Sequence, residues 1–201
     1  MNVDYVFAEP ISVAKRDIDS ETVVKEVFEL LENHETPPKS GRADGRRIDL
    51  FPELFEDDKN PHLGNIVHSI VQLTDEFRSS LKMKPLIITS IWININGKGG
   101  YNTRHCHPGS TISGAFYIKV PEDSESPFIL TKSRESTDYG FGDAFEEPNN
   151  PNNINTIIIP SEEGKLILFP SYIEHEVPPN QSDDHRISLS FNTGIMKNEA
   201  S

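Results

Sequence analysis

Residues 164–192 read "GKLILFPSYIEHEVPPNQSDDHRISLSFN", and two strands with a histidine between them decide the architecture. Lys165–Phe169 reads as a strand whose apolar residues, Leu166 to Phe169, end at Pro170-Ser171. His175 follows at the start of the next element. Eleven residues on, Arg186 opens a clean alternation: Ile187, Leu189 and Phe191 fall on one side, Arg186, Ser188 and Ser190 on the other. Side chains two apart in a strand share a face. The second set is therefore expected to look into a cavity and the first into a core. An inward arginine beside an inward serine suits a two-pronged grip on a carboxylate.

Upstream, the period is also that of strands. "LIITSIWINI" (86–95) sets Ile87, Thr89, Ile91, Ile93 and Ile95 against Ile88, Ser90, Trp92 and Asn94, with "NGKGG" as the turn after it. Further strands are expected at Tyr101–His107, Ile112–Val120, Phe128–Thr131 and Asn155–Ile159. "NTRHCHPGSTISGAFYIKV" (102–120) holds His105 and His107 on either side of Cys106, the single cysteine. In a strand those imidazoles would stand side by side with the thiol turned away. Alone, His-x-His is equally an exposed pair. With His175 it makes three nitrogen ligands that leave open positions on an octahedral metal, and Arg186 then suggests a carboxylate-bearing cosubstrate that also reaches the metal. Tyr101, Asn102 and Tyr117 are candidates to line the cavity. Trp92 is expected to be packing, and His34, His62, His68 and His185 to be structural or solvent-exposed.

The amino-terminal part is helical. From Ser20, read as a cap, Val23, Val24, Val27, Phe28, Leu30 and Leu31 recur at helical spacing, and Asn60-Pro61 opens a second helix whose buried face runs from Leu63 to Phe77. "HETPPKSGRADGRRID" between them reads as a loop. "YGFGDAFEEPNNPNNIN" (139–155) is rich in Pro, Asn and Gly and reads as a candidate lid, and the loop from Thr131 to Asn155 is expected to contribute to the substrate pocket. Its acidic residues favour a cationic or neutral substrate. Many short strands with turn signals point to a barrel or jelly roll flanked by helices. One domain is expected over 1–201: strand plus helical scaffold at 1–84, a β core at 85–193 and a tail at 194–201.

Composition limits the partners. A formal charge of -13 repels nucleic-acid phosphates and anionic membranes, so neither is favoured. No apolar run reaches the length of a membrane span, and a single cysteine excludes an internal disulfide. With no signal-peptide pattern at the start, a soluble cytoplasmic protein is expected.

Two segments, "SIWINING…YNTRHCHPGSTISGAFYIKVP" and "EGKLILFPSYIEHEVPPNQSDDHRISLSFN", resemble the iron(II)/2-oxoglutarate-dependent oxygenases over about Pro85 to Thr193. The resemblance implies a double-stranded β-helix, a jelly-roll or cupin-like fold, with iron at one mouth. It implies metal ligands at His105, His107 and His175, and the distal carboxylate of 2-oxoglutarate on Arg186 with Ser188. It also implies O2 as co-reactant and hydroxylation of a small-molecule or peptide substrate. One position departs from the broader superfamily: residue 107 is His where a carboxylate is usual. Three-histidine iron sites also serve thiol dioxygenases that use no 2-oxoglutarate. A cupin-type metalloenzyme of that kind therefore stays open, as does a non-catalytic jelly-roll binding module.

Overall fold

The computed structural model describes residues 9–33, 45–50, 60–132 and 155–196. Residues 133–154, which include all of the candidate lid but Asn155, and His34 lie outside them. In chain order the elements are β1 (Ser12–Lys15), α1 (Ser20–Asn33), β2 (Gly45–Asp49), α2 (Pro61–Ser80), β3 (Leu86–Asn96), β4 (Asn102–His105), β5 (Ile112–Lys119), β6 (Phe128–Thr131), β7 (Thr156–Ile159), β8 (Lys165–Pro170), β9 (Glu174–Val177) and β10 (Arg186–Ile195). The strands form a six-stranded sheet in the order β1-β8-β5-β10-β3-β2 and a four-stranded sheet in the order β4-β9-β6-β7. All their pairings are antiparallel. Two facing antiparallel sheets with this crossover pattern are a double-stranded β-helix, and the two helices lie along the outer face of the larger sheet.

Each face of the larger sheet has its own core. Ile91, Ile93, Ile95, Ile112, Phe116, Ile118, Leu166, Leu168, Ile187, Leu189 and Phe191 pack under Val23 and Val27 of α1 and Leu63 to Phe77 of α2. On the other face Ala115, Tyr117, Ile167 and Phe169 meet Phe128, Leu130, Ile159 and Val177 of the smaller sheet. β5 and β8 are therefore buried on both sides, which explains their unbroken apolar runs. Close packing leaves no space at Gly114: a Cβ there would sit 2.5 Å from the Phe191 ring. Gly164 turns the chain into β8 at φ +74°, where a Cβ would lie 2.0 Å from the Arg16 carbonyl oxygen.

Four expectations need correction. Gly45–Asp49, read as loop, is a strand on the edge of the larger sheet beside β3. The alternation of β3 does not run its full length. A register shift opposite Asn192/Thr193 leaves Thr89 as an extra residue, so Leu86 and Ile88 turn to the helix side while Ile87 is 43% exposed. The first helix is capped by Asp19 and not Ser20: Thr22 donates its backbone N–H (3.2 Å) and its hydroxyl (2.6 Å) to the Asp19 carboxylate. Those two bonds hold the Asp19 pKa below its ordinary value. The fourth concerns His107. β4 ends at His105, so His107 lies beyond the strand.

The second helix begins at Pro61 as expected, but Asn60 supplies no side-chain cap. Glu26 of α1, buried, serves instead. Its carboxylate accepts the backbone N–H groups of His62 (3.1 Å) and Leu63 (2.7 Å) and pairs with the His62 ring at 2.8 Å. An anion is favoured at a helix N-terminus, and this one ties the two helices together. Among the described residues no helix is long and apolar enough to cross a membrane.

Candidate active site

The smaller sheet supplies the histidines. β4 and β9 pair so that His105 faces His175 directly. His107 is brought in by its backbone, whose N–H donates to the Ser171 carbonyl at 2.8 Å just after β8. One ligand atom from each ring lies within 4.8 Å of the others, the spacing of three donors around one metal ion. The ring centroids are 4.3 Å apart for His105–His175 and 5.0 Å for the two pairs with His107.

Backbone carbonyls orient two of the rings. His105 Nδ1 lies 2.6 Å from the Thr103 carbonyl oxygen and His175 Nδ1 lies 3.1 Å from that of Ile173. A carbonyl can only accept, so each Nδ1 carries the proton and each Nε2 offers its lone pair. Phe128 stacks on His175 at 5.5 Å and Phe169 contacts it at 4.7 Å. Burial, then the charges of the neighbouring histidines, pushes the His175 pKa down to about 3, and burial does most to bring His107 to about 4. Both rings are therefore neutral at physiological pH, as a metal ligand must be.

The larger sheet forms the opposite wall. Arg186, Ser188 and Ser190 of β10 line a cavity of about 290 Å³ together with all three histidines, Asn102, Tyr117 and Asn94. Arg186 is 1% exposed, yet its Nε and Nη1 have no hydrogen-bond partner. Burial depresses its pKa. The hydroxyl of Tyr117, which pairs with Ser188 in the β5–β10 register, is also buried with no partner at normal hydrogen-bond distance; burial raises its pKa, while nearby Arg186 and Ser161 act in the opposite direction. Asn96, opposite Arg186 on β3, leaves both amide atoms unpaired. Such groups cost several kcal/mol each when they find nothing to bond. Their concentration beside a histidine trio marks a place shaped for a polar ligand, and a fixed guanidinium selects an anion.

Of the residues read from the sequence, His105, His107, His175, Arg186, Ser188, Asn102 and Tyr117 share this cavity, while Tyr101 is not among its lining side chains. His185 faces away and meets Phe28 of α1 edge-on at 5.8 Å. Three contributors went unread. Trp92, expected as packing, forms cavity wall 5.9 Å from the His107 ring. Arg47 of β2 sits 4.2 Å over the Trp92 ring. Asn180, fully buried, sets the loop that leads into Arg186. Its Nδ2 donates to the carbonyls of Asn96 (3.0 Å) and Asp184 (2.8 Å), and its backbone exchanges bonds with Gly99 and Gly100. Trp92 was within reach, since it alternates with Asn94 on the polar side of β3. Arg47 lay in a segment with no apolar period.

Comparison with known proteins agrees with this geometry. A family model described as "Putative 2OG-Fe(II) oxygenase" matches residues 90–192. No curated protein matches the chain. Among solved structures, a prolyl-4-hydroxylase from Pseudomonas putida superposes with a TM-score of 0.63 at 12% identity, covering 94% of each chain. The epimerase SnoN from nogalamycin biosynthesis gives 0.65 at 13% identity, over 93% of this chain and 79% of that one. HygX from Streptomyces hygroscopicus, solved with nickel and 2-oxoglutarate bound, gives 0.59 at 12% identity, over 94% and 84%. At these identities the structural likeness speaks for the fold.

Proposed function

The chain belongs to the 2OG-Fe(II) oxygenase family, and from that premise we propose that it couples oxidative decarboxylation of 2-oxoglutarate to succinate with hydroxylation of a second substrate. It is an oxidoreductase with iron(II) and 2-oxoglutarate as cofactors. The observation that carries the finer reading is Arg186, a fully buried guanidinium with free donors in the same cavity as three clustered imidazoles.

His105 and His175 would hold the iron through Nε2, with the Thr103 and Ile173 carbonyls keeping those rings in the required tautomer, and His107 would be the third ligand. Arg186 would take the distal carboxylate of 2-oxoglutarate, supported by Ser188 and by the Tyr117 hydroxyl, and Asn102 offers a further amide on the cavity wall. When bound, iron(II) and 2-oxoglutarate would supply the electrons that activate O2, and the protein supplies orientation and a dry surround. Phe128, Phe169 and Val177 provide that surround. Three neutral imidazoles leave the double positive charge of the ion uncompensated by the protein. The keto-acid end of 2-oxoglutarate would offset one of those charges, its distal carboxylate being taken by Arg186.

The test counts succinate formed against 2-oxoglutarate consumed in the iron-loaded protein. Turnover should require iron(II) and vanish in His175→Ala. Oxygen uptake that proceeds without 2-oxoglutarate would instead support the three-histidine dioxygenase reading, which rests on residue 107 being His.

A further inference from the structure

We propose that the second substrate is an organic carboxylate whose anionic group is held by Arg47 on the face of Trp92; this rests on the function proposed above. The charge of the cavity is the first ground. The whole chain carries 32 acidic and 19 basic side chains, yet the described residues that line the cavity include two arginines and neither Asp nor Glu. The acidic stretch that favoured a cationic or neutral substrate lies outside the described residues. At the wall itself the sign is reversed.

The second ground is that the two arginines are separate stations. Arg186 lies on β10, with β3 between it and β2, where Arg47 lies. Neighbouring strands run about 4.8 Å apart, so about 10 Å divides the two backbones. The two carboxylates of 2-oxoglutarate would be taken by Arg186 and by the iron. Arg47 is then the arginine of the cavity wall that the cosubstrate leaves to a second ligand.

The third ground is how Arg47 is held. Its guanidinium carbon stands 4.2 Å from the Trp92 ring centroid, a cation–π contact that fixes its position. Trp92 in turn touches the His107 ring at 5.9 Å. The anion-binding group is thus linked by one indole to a proposed metal ligand. Arg47 does have a partner: Nε and Nη2 both contact Oδ1 of Asp49, at 2.6 and 2.5 Å. That carboxylate side chain is 62% exposed while Arg47 is 25% exposed. A solvated pair of this kind contributes little and exchanges readily, so an incoming carboxylate can share or replace it. A substrate so held reaches from β2 towards the histidines, which calls for a chain of several carbons between its anionic group and the carbon to be oxidised.

Trp92 is the single tryptophan of the chain and therefore reports on this wall directly. The experiment titrates protein loaded with Zn(II) and 2-oxoglutarate with matched pairs of a carboxylic acid and its primary amide, from short aliphatic to aromatic, and follows tryptophan fluorescence. The acid should bind about tenfold more tightly than its amide, the worth of one charge-assisted contact. Arg47→Gln should erase that ratio. Asp49→Asn, which removes the competing carboxylate, should raise acid affinity several-fold. An Arg47 that merely props Trp92 would leave the acid-to-amide ratio unchanged in both variants, and that result overturns the proposal. So does equal binding of acids and amides, or no response to any acid at millimolar concentration. Loss of 2-oxoglutarate binding in Arg47→Gln, with the acid preference intact, would make Arg47 the keto-acid anchor and also overturn it. Native mass spectrometry first establishes that Zn(II) and 2-oxoglutarate load. Their failure to load counts against the proposed function, while the same titration on metal-free protein still judges Arg47.

Discussion

The two faces of β10 are made of the same strand and obey opposite rules. Toward the helices stand Ile187, Leu189 and Phe191, each fully buried among apolar neighbours. Toward the cavity stand Arg186, Ser188 and Ser190, and there a guanidinium is buried with free donors. The helix side supplies stability: complete burial of one such side chain contributes about 1.5–3 kcal/mol. The cavity side consumes some of it, because an unpaired buried charge is costly until a ligand arrives. A strand that alternates between these two conditions places function within one pleat of the core, and substitutions on its two faces should have opposite consequences.

The largest contrast is expected at the metal. His175→Ala should abolish iron(II) binding, read by metal analysis, because two remaining imidazoles and no carboxylate cannot replace the third ligand. On the helix face, Leu189→Ala should lose about 2–5 kcal/mol of stability in urea unfolding while leaving the histidines in place. Arg186→Met should do the reverse. Its 2-oxoglutarate affinity should fall about 100-fold or more, measured by calorimetry. The ligand-free protein should nevertheless unfold at the same or higher urea concentration, since a desolvated guanidinium without a partner has gone. A lower midpoint would mean that Arg186 is a structural residue, and the contrast between the faces would collapse.

The smallest effect is one of pH. The folded His175 takes its proton near pH 3, below the ordinary 6.5. Below about 6.5 the unfolded chain therefore holds a proton that the folded one refuses. Stability of the metal-free protein is full above that pH and is lost as pH falls towards 3, with a slope of about 1.4 kcal/mol per pH unit from this residue. Urea midpoints between pH 7 and 5 would show it, and His175→Asn should remove about half of the slope, the rest coming from His107, whose pKa is also lowered, to about 4.

How much of this was legible in the sequence varied with the physics of each segment. β10 and β8 were readable because burial dictates their residues: alternation where one face is polar, an unbroken apolar run where neither is. Arg186 followed from the alternation of β10, and the histidines from the His-x-His pair at 105 and 107 together with His175 after β8. β2 was not readable, since an edge strand carrying "GRRID" after a Gly- and Pro-rich stretch has no apolar period, and its pairing is set by β3. His107 was placed in the site for a reason that does not hold. It reaches the other rings through a backbone bond to Ser171, a long-range contact that no local pattern encodes. The bulge at Thr89 was hidden for a similar reason, as it depends on the register of β10. Asn180 shows the same limit: a lone asparagine among prolines reads as turn chemistry, and its value lies in the distant carbonyls of Asn96 and Gly100, which it joins to Asp184 of its own loop.

The central claim, that the polar face of β10 and the three histidines form one iron and 2-oxoglutarate site, is met most directly by an anaerobic titration watched by visible absorption. Apoprotein receives iron(II) and then 2-oxoglutarate. A weak charge-transfer band should appear with both present, be absent with either alone, and require about 100-fold more 2-oxoglutarate in Arg186→Met. Iron that binds without the band ever forming, or a band indifferent to Arg186, would contradict it.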